Sequence, residues 1–179
     1  MDSAKLWTIG HSTRSIEELI DALSSFEIQI VVDVRSFPGS RRYPHFNRDK
    51  LAASLTEAGI EYLHFPELGG RRRARADSRN LVWRNESFRG YADYMETPDF
   101  QKGIARLLDL AGTHRTAIMC SEAVWWRCHR SLISDYLKVK GVEVTHIAAV
   151  GKSEPHPFTS AARIVNGELS YRGVLEPPG

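Results

Sequence analysis

The chain has 179 residues, 42% of them hydrophobic and 26% charged, with 13 glycines and 8 prolines. This profile is that of a globular protein and excludes collagen-like, disordered and disulfide-scaffold classes, so one α/β domain over residues 1–179 is expected. Two cysteines are too few for a secreted disulfide framework and point to a reducing compartment, the cytoplasm. The run Met1-Asp2-Ser3-Ala4-Lys5 does not open a signal-peptide core, and no stretch approaches the ~20 apolar residues that span a bilayer. No membrane partner is therefore expected.

The overall charge of +2 conceals a segregation. Arg35–Arg48 holds four arginines and no acid, and Arg71–Arg84 holds six arginines and one aspartate. These stretches carry +9 together and leave −7 on the rest of the chain. Arginine presents a planar fork suited to bidentate recognition of phosphate or carboxylate. An anionic small molecule or a nucleic acid is the partner this implies, against the plainer reading of a solvated basic face.

Short hydrophobic runs alternate with helical patterns along the chain. That alternation predicts one open, mostly parallel sheet of about five strands with helices on both faces. Lys5 to Ile9 reads as a strand ended by Gly10. Ser15 and Glu18 form a capping box for a helix carrying Ile16, Leu19, Ile20, Leu23 and Phe26. Ile28 to Val34 is a strand buried on both faces. Leu51, Ala52, Leu55 and Ala58 mark a second helix stopped by Gly59, and Ile60 to Phe65 a third strand.

From Pro66 to about Arg84 no period is visible, and loops of that length tend to be functional or mobile. Thr97-Pro98 then opens a helix with Phe100, Ile104, Leu107 and Leu108 that ends near Gly112. Thr116 to Cys120 is a fourth strand, and Leu132, Ile133, Tyr136 and Leu137 mark a helix ended by Gly141. Val142 to Ile147 is a fifth strand. Asn166-Gly167 predicts a type I′ turn in a small C-terminal β-hairpin over about residues 160–173.

Ligands of an open parallel sheet bind beyond the carboxyl ends of its strands. Gly10-His11-Ser12-Thr13, Asp33-Val34-Arg35, Gly69-Gly70 with the arginine run, and Cys120-Ser121-Glu122 all follow strands, so they converge on one predicted edge. Arg35, Arg41, Arg42 and Arg130, with Ser12, Tyr43, Gly69 and Gly70, are the substrate-binding candidates. His11, Asp33, Glu122 and His129 are candidates for proton transfer. Asp33 and Arg35 project to one side of an extended strand, so Asp33 either holds the arginine or acts as a base.

The constellation Cys120 and Cys128-His129-Arg130 admits several readings. Cys120 is a nucleophile if the following helix N-terminus and arginines favour its thiolate. Yet Arg127 falls one place late for a cysteine-phosphatase or rhodanese-type anion loop. Cys120, Cys128 and His129 are possible zinc ligands, although their spacing fits no standard pattern. A redox disulfide between the two cysteines is disfavoured in a reducing compartment. In the plainest reading, Cys128 is a small core side chain and the neighbouring polar residues act alone. Tyr43, Phe46, Trp83, Trp125 and Trp126 interleave with arginines as base-stacking platforms do, or simply pack.

Taken in order, several segments resemble the domain of unknown function 488 family over about residues 6–150. They are Thr8-Ile9-Gly10-His11-Ser12, Asp33-Val34-Arg35, Pro38 to Phe46, Leu68-Gly69-Gly70, Tyr91 to Met95, Cys120-Ser121-Glu122 and Cys128-His129-Arg130. The resemblance implies a compact α/β domain without an established activity. Family members commonly carry proline or charged residues before the Cys-His-Arg unit, where this chain has Val124-Trp125-Trp126. The functional expectation is an enzyme acting on a phosphate-bearing substrate, a nucleotide or nucleic acid. The alternatives are a non-catalytic nucleic-acid-binding module and a metal-dependent regulator. The sequence names no cofactor and no oligomeric state.

Overall fold

The computed structural model describes residues 4–173, which leaves Met1 to Ser3 of the N-terminal run outside the described residues. Local signals set most element boundaries. The Ser15 hydroxyl accepts the Glu18 N–H at 3.1 Å while the Glu18 carboxylate accepts the Ser15 N–H at 2.9 Å, which starts helix α1 (Ile16–Ser25). Thr97 caps α4 (Pro98–Thr113) with proline in its first turn. Between them come β2 (Ile30–Asp33), α2 (Arg48–Glu57), β3 (Glu61–His64) and α3 (Glu86–Tyr94). The chain opens with β1 (Lys5–Gly10). After α4 it runs β4 (Thr116–Cys120), α5 (Arg130–Val139), β5 (Glu143–Ala149), β6 (Lys152–Pro155), β7 (Arg163–Val165) and β8 (Glu168–Ser170).

Six strands form one sheet in the order β3-β2-β4-β1-β5-β6, parallel except for β6, with β7 and β8 as a separate antiparallel hairpin. Successive strand residues point to opposite faces, so each central strand feeds two cores. Trp7, Ile9, Val31, Ala117 and Met119 pack against Leu19 and Leu23 of α1 and Leu51 and Leu55 of α2. Leu6, Ile30, Val32 and Ile118 face the other way, onto Tyr91, Phe100, Ile104, Leu132 and Leu137 of α3, α4 and α5. The result is an α/β fold with helices on both faces.

Two elements depart from the sequence expectation. β6 adds a sixth, antiparallel strand whose Lys-Ser-Glu-Pro sequence is exposed throughout, so no hydrophobic alternation announces it. α3 is only nine residues long and rests on Tyr91 and Ala92, too few apolar positions to show a period; Asn85 caps it through the Phe88 N–H at 3.2 Å. The hairpin forms as expected, with Asn166 and Gly167 at φ 52° and 79°, as a type I′ turn requires. Among the described residues no helix is long and apolar enough to cross a membrane.

The connections fix where a cleft opens. From β1 the chain leaves through α1 on one face, and from its neighbour β4 it leaves through α5 on the other. Diverging connections from adjacent strands leave a crevice at their carboxyl ends.

Candidate active site

Backbone pairing continues past the strand ends and aligns the loops that follow. The His11 N–H donates to the Cys120 carbonyl at 2.9 Å, that of Ser12 to Ser121 at 3.0 Å, and that of Val34 to Met119 at 2.9 Å. A Cβ at residue 10 would lie 1.6 Å from the Glu122 carbonyl oxygen, so glycine alone lets the loop after β4 cross the end of β1. Above these loops opens a cleft of about 720 Å³. Nine of the residues singled out from the sequence line it: His11, Ser12, Arg35, Arg42, Tyr43, Gly70, Cys120, Glu122 and His129. Cys128, Arg71 and Arg127 line it as well. Asp33, Gly69 and Arg130 lie behind the wall, and Arg41 is exposed outside it.

Asp33 is fully buried and serves Arg35. Its Oδ1 accepts the Arg35 backbone N–H at 3.0 Å and Nε–H at 2.9 Å, and its Oδ2 accepts the Nη2–H at 2.7 Å and the Tyr62 hydroxyl at 2.5 Å. Burial, and next the Asp33 carboxylate, raise the Tyr62 pKa well above its ordinary value, so the phenol stays a donor. With Nε and Nη2 engaged, Arg35 directs Nη1 toward the cleft, 3.4 Å from His11 Nε2. Asp33 therefore orients a cation and does not reach the cleft as a base.

His11 stacks on Phe46 at 4.2 Å and donates its Nδ1–H to the Ser12 carbonyl at 3.0 Å. Burial first, and then the Arg35 cation, lower its pKa to about 4 against the pull of the Ser12 carbonyl. At neutral pH the ring is uncharged, and Nε2 offers a lone pair beside Arg35.

The cysteines sit at the cleft floor, 2% and 6% exposed for Cys120 and Cys128, with their sulfurs 2.7 Å apart. Their environments differ. Burial and the adjoining Cys128 push the Cys120 thiol well up. Burial also opposes a charge on Cys128, but the Cys120 hydrogen bond, the Arg130 cation and the Arg130 N–H outweigh it and lower its pKa to about 7. The thiolate-favouring position is thus Cys128, just ahead of α5, rather than the Cys120 that the sequence singles out.

His129 donates Nε2–H to the Val34 carbonyl at 2.8 Å and turns Nδ1 to Cys128 Sγ at 3.4 Å. A Cβ on Gly70 would stand 2.9 Å from that Nδ1, so the glycine gives the ring its room. Glu122 contributes its backbone: the carbonyl accepts Arg130 Nη2–H at 2.7 Å, while its side chain is exposed.

Behind the wall Arg130 begins a buried polar chain that sequence reading does not reveal. Its Nη1–H donates to Thr8 Oγ1 at 3.0 Å, and Thr8 to His146 Nδ1 at 2.5 Å. His146 Nε2–H donates to His156 Nδ1 at 2.8 Å, and His156 Nε2–H to Asp135 Oδ1 at 2.8 Å. This one direction of donation pairs every link from Thr8 to Asp135, while the buried Arg130 Nε–H has no partner among the described residues. Asp135 Oδ2 also accepts the hydroxyls of Thr159 at 2.6 Å and Tyr171 at 2.8 Å, which fastens the C-terminal hairpin. Sequence carries no signal for this polar chain, because Arg130 and Asp135 stand five residues apart on α5, off a shared helix face, and the histidines belong to β5 and the loop after β6.

Two cleft residues, Ser12 and Arg71, hold left-handed φ values of 50° and 59°, a conformation that non-glycine residues adopt mainly in turns and functional loops. Among the described residues no group of three or more His, Cys, Asp and Glu side chains could hold a metal ion, Cys120, Cys128 and His129 included. No curated protein and no solved structure shows a significant match to the chain. Residues 15–137, well over half the chain, match the family described as "Domain of unknown function DUF488", and the chain belongs to that family.

Proposed function

We propose that the protein is an enzyme that draws a phosphate-bearing substrate into this cleft and uses the Cys128 thiolate as its nucleophile. One observation carries the reading: a buried thiol with a lowered pKa lies on the floor of a cleft lined by Arg35, Arg42, Arg71 and Arg127. The arginines hold the anion, and the Asp33 clamp fixes Arg35 in the orientation that binding needs. His11 Nε2, which faces Arg35 Nη1 at 3.4 Å, accepts a proton from the bound substrate or a water once the anion draws that guanidinium edge to itself. The test is protection from alkylation. Iodoacetamide should modify Cys128 in the native protein, and pyrophosphate or a nucleoside diphosphate should slow that modification while the uncharged nucleoside does not. Equal rates with and without the anions would end the reading.

A second reading, non-catalytic binding of nucleic acid, draws on the exposed aromatics Phe37 (73%) and Trp126 (53%), which flank Arg35 and Arg127 in sequence. It requires affinity for a single-stranded oligonucleotide that falls steeply with salt and survives His11→Ala.

A further inference from the structure

We propose that Cys120 and Cys128 form a peroxide-responsive dithiol pair, in which Cys128 is oxidised first and Cys120 resolves it to an intramolecular disulfide that switches the cleft off. The inference rests on the thiolate assignment at Cys128 and is independent of the substrate's identity. Three features of the site support it. The sulfurs are in contact at 2.7 Å, one at the end of β4 and one ahead of α5, so no rearrangement of the chain is needed to bring them together. Both cysteines line the cleft, which gives a molecule the size of hydrogen peroxide a route to Cys128. The two thiols are also unlike: Arg130 N–H and the Arg130 cation stabilise charge on Cys128, while Cys120 is held in the protonated state by burial. That asymmetry fixes the order of events.

In the first step the Cys128 thiolate attacks one oxygen of hydrogen peroxide. An S–O bond forms, the O–O bond breaks, and hydroxide leaves to be protonated to water. Sulfur is oxidised by two electrons to the sulfenic acid, and the peroxide is reduced. In the second step the Cys120 thiol gives up its proton and attacks the Cys128 sulfur. The S–S bond forms, the S–O bond breaks, and the departing hydroxide takes up a proton as a second water. An external dithiol reductant returns the two electrons and restores both thiols. With Cys128 in the disulfide, the cleft holds no thiolate.

The experiment takes the full-length reduced protein, adds hydrogen peroxide, blocks remaining thiols with N-ethylmaleimide and measures mass. The expected wild-type product is lighter by two hydrogens, takes up no maleimide, and reverts with dithiothreitol. Trypsin cleaves after Arg115, Arg127 and Arg130, so the disulfide should link peptide Thr116–Arg127 to peptide Cys128–Arg130. Cys120→Ser should instead accumulate a sulfenic acid at Cys128 that dimedone traps, and Cys128→Ser should keep its remaining thiol. The inference is overturned if wild-type protein yields a dimedone adduct or sulfinic acid at Cys128 while Cys120 still takes up maleimide. If iodoacetamide nonetheless modifies Cys128 rapidly, only the redox inference falls. If Cys128 reacts with neither reagent, the thiolate reading falls with it.

Discussion

The His129 ring donates its Nε2–H to the Val34 carbonyl at 2.8 Å, and that bond decides what the other nitrogen does. With its one ring proton committed to the backbone beyond β2, Nδ1 is an acceptor 3.4 Å from Cys128 Sγ. A residue from the loop after β2 thereby sets the chemistry of a side chain at the start of α5. Residues 34 and 129 meet only because β2 and β4 are neighbours in the sheet.

Alkylation of Cys128 should follow its ionisation. The lowered pKa of about 7 means that thiolate is present above pH 7 and lost below it, so the iodoacetamide rate should climb through a midpoint near that pH. Cys120→Ala removes a hydrogen bond to the thiolate and should move the midpoint upward. A pH–rate profile by mass spectrometry measures both.

Asp33→Asn leaves the Arg35 guanidinium buried without its counter-charge. Breaking a buried pair in this way costs about 3 kcal/mol or more. Urea unfolding should show that loss. In the fraction that remains folded, pyrophosphate should protect Cys128 less well, because Nη1 of Arg35 is no longer held toward the cleft.

Stability should decline in mild acid. Burial, and next the neighbouring His156 and Arg130, lower the His146 pKa to about 2, and the His11 pKa is lowered to about 4. In the unfolded chain both titrate near ~6.5, so below that pH the unfolded state binds protons that the native state refuses. Each histidine then withdraws ~1.4 kcal/mol per pH unit, for His11 down to about pH 4 and for His146 further. Melting temperatures between pH 7 and pH 4 should fall for the wild type and fall less steeply for His146→Gln, whatever its starting stability.

Gly70→Ala places a Cβ where the His129 ring stands, 2.9 Å from Nδ1. The ring must shift, which disturbs the 3.4 Å approach of Nδ1 to the Cys128 sulfur. An acceptor at that distance favours the thiol over the thiolate, so disturbing it should move the midpoint of the iodoacetamide pH–rate profile of Cys128 downward, with the circular dichroism spectrum unchanged.

Tyr171→Phe supplies the contrast. Loss of the hydroxyl bond to the buried Asp135 should cost ~1.5–3 kcal/mol by thermal or urea unfolding. Alkylation of Cys128 should stay at the wild-type rate, since the hairpin is fastened on the far side of the polar chain from the cleft.

Much of this architecture was legible from sequence because its signals are local. The Ser15–Glu18 box, the Thr97-Pro98 start, the Asn166-Gly167 turn and the apolar runs of β1 and β4 each act within a few residues, and each element stands where those signals put it. The rule that sites collect at strand ends likewise pointed to His11, Arg35, Cys120 and His129, which line one cleft. Tertiary structure alone decided which group does what. The exposed β6 and the short α3 earned no periodic signal, since their stability comes from neighbours. Asp33 became a clamp, Cys128 rather than Cys120 the favoured thiolate, and Thr8, Asp135, His146 and His156 one buried chain. Charge, tautomer and proton affinity depend on burial and on partners up to 138 residues away in the chain, as for Thr8 and His146, and no window of sequence contains them.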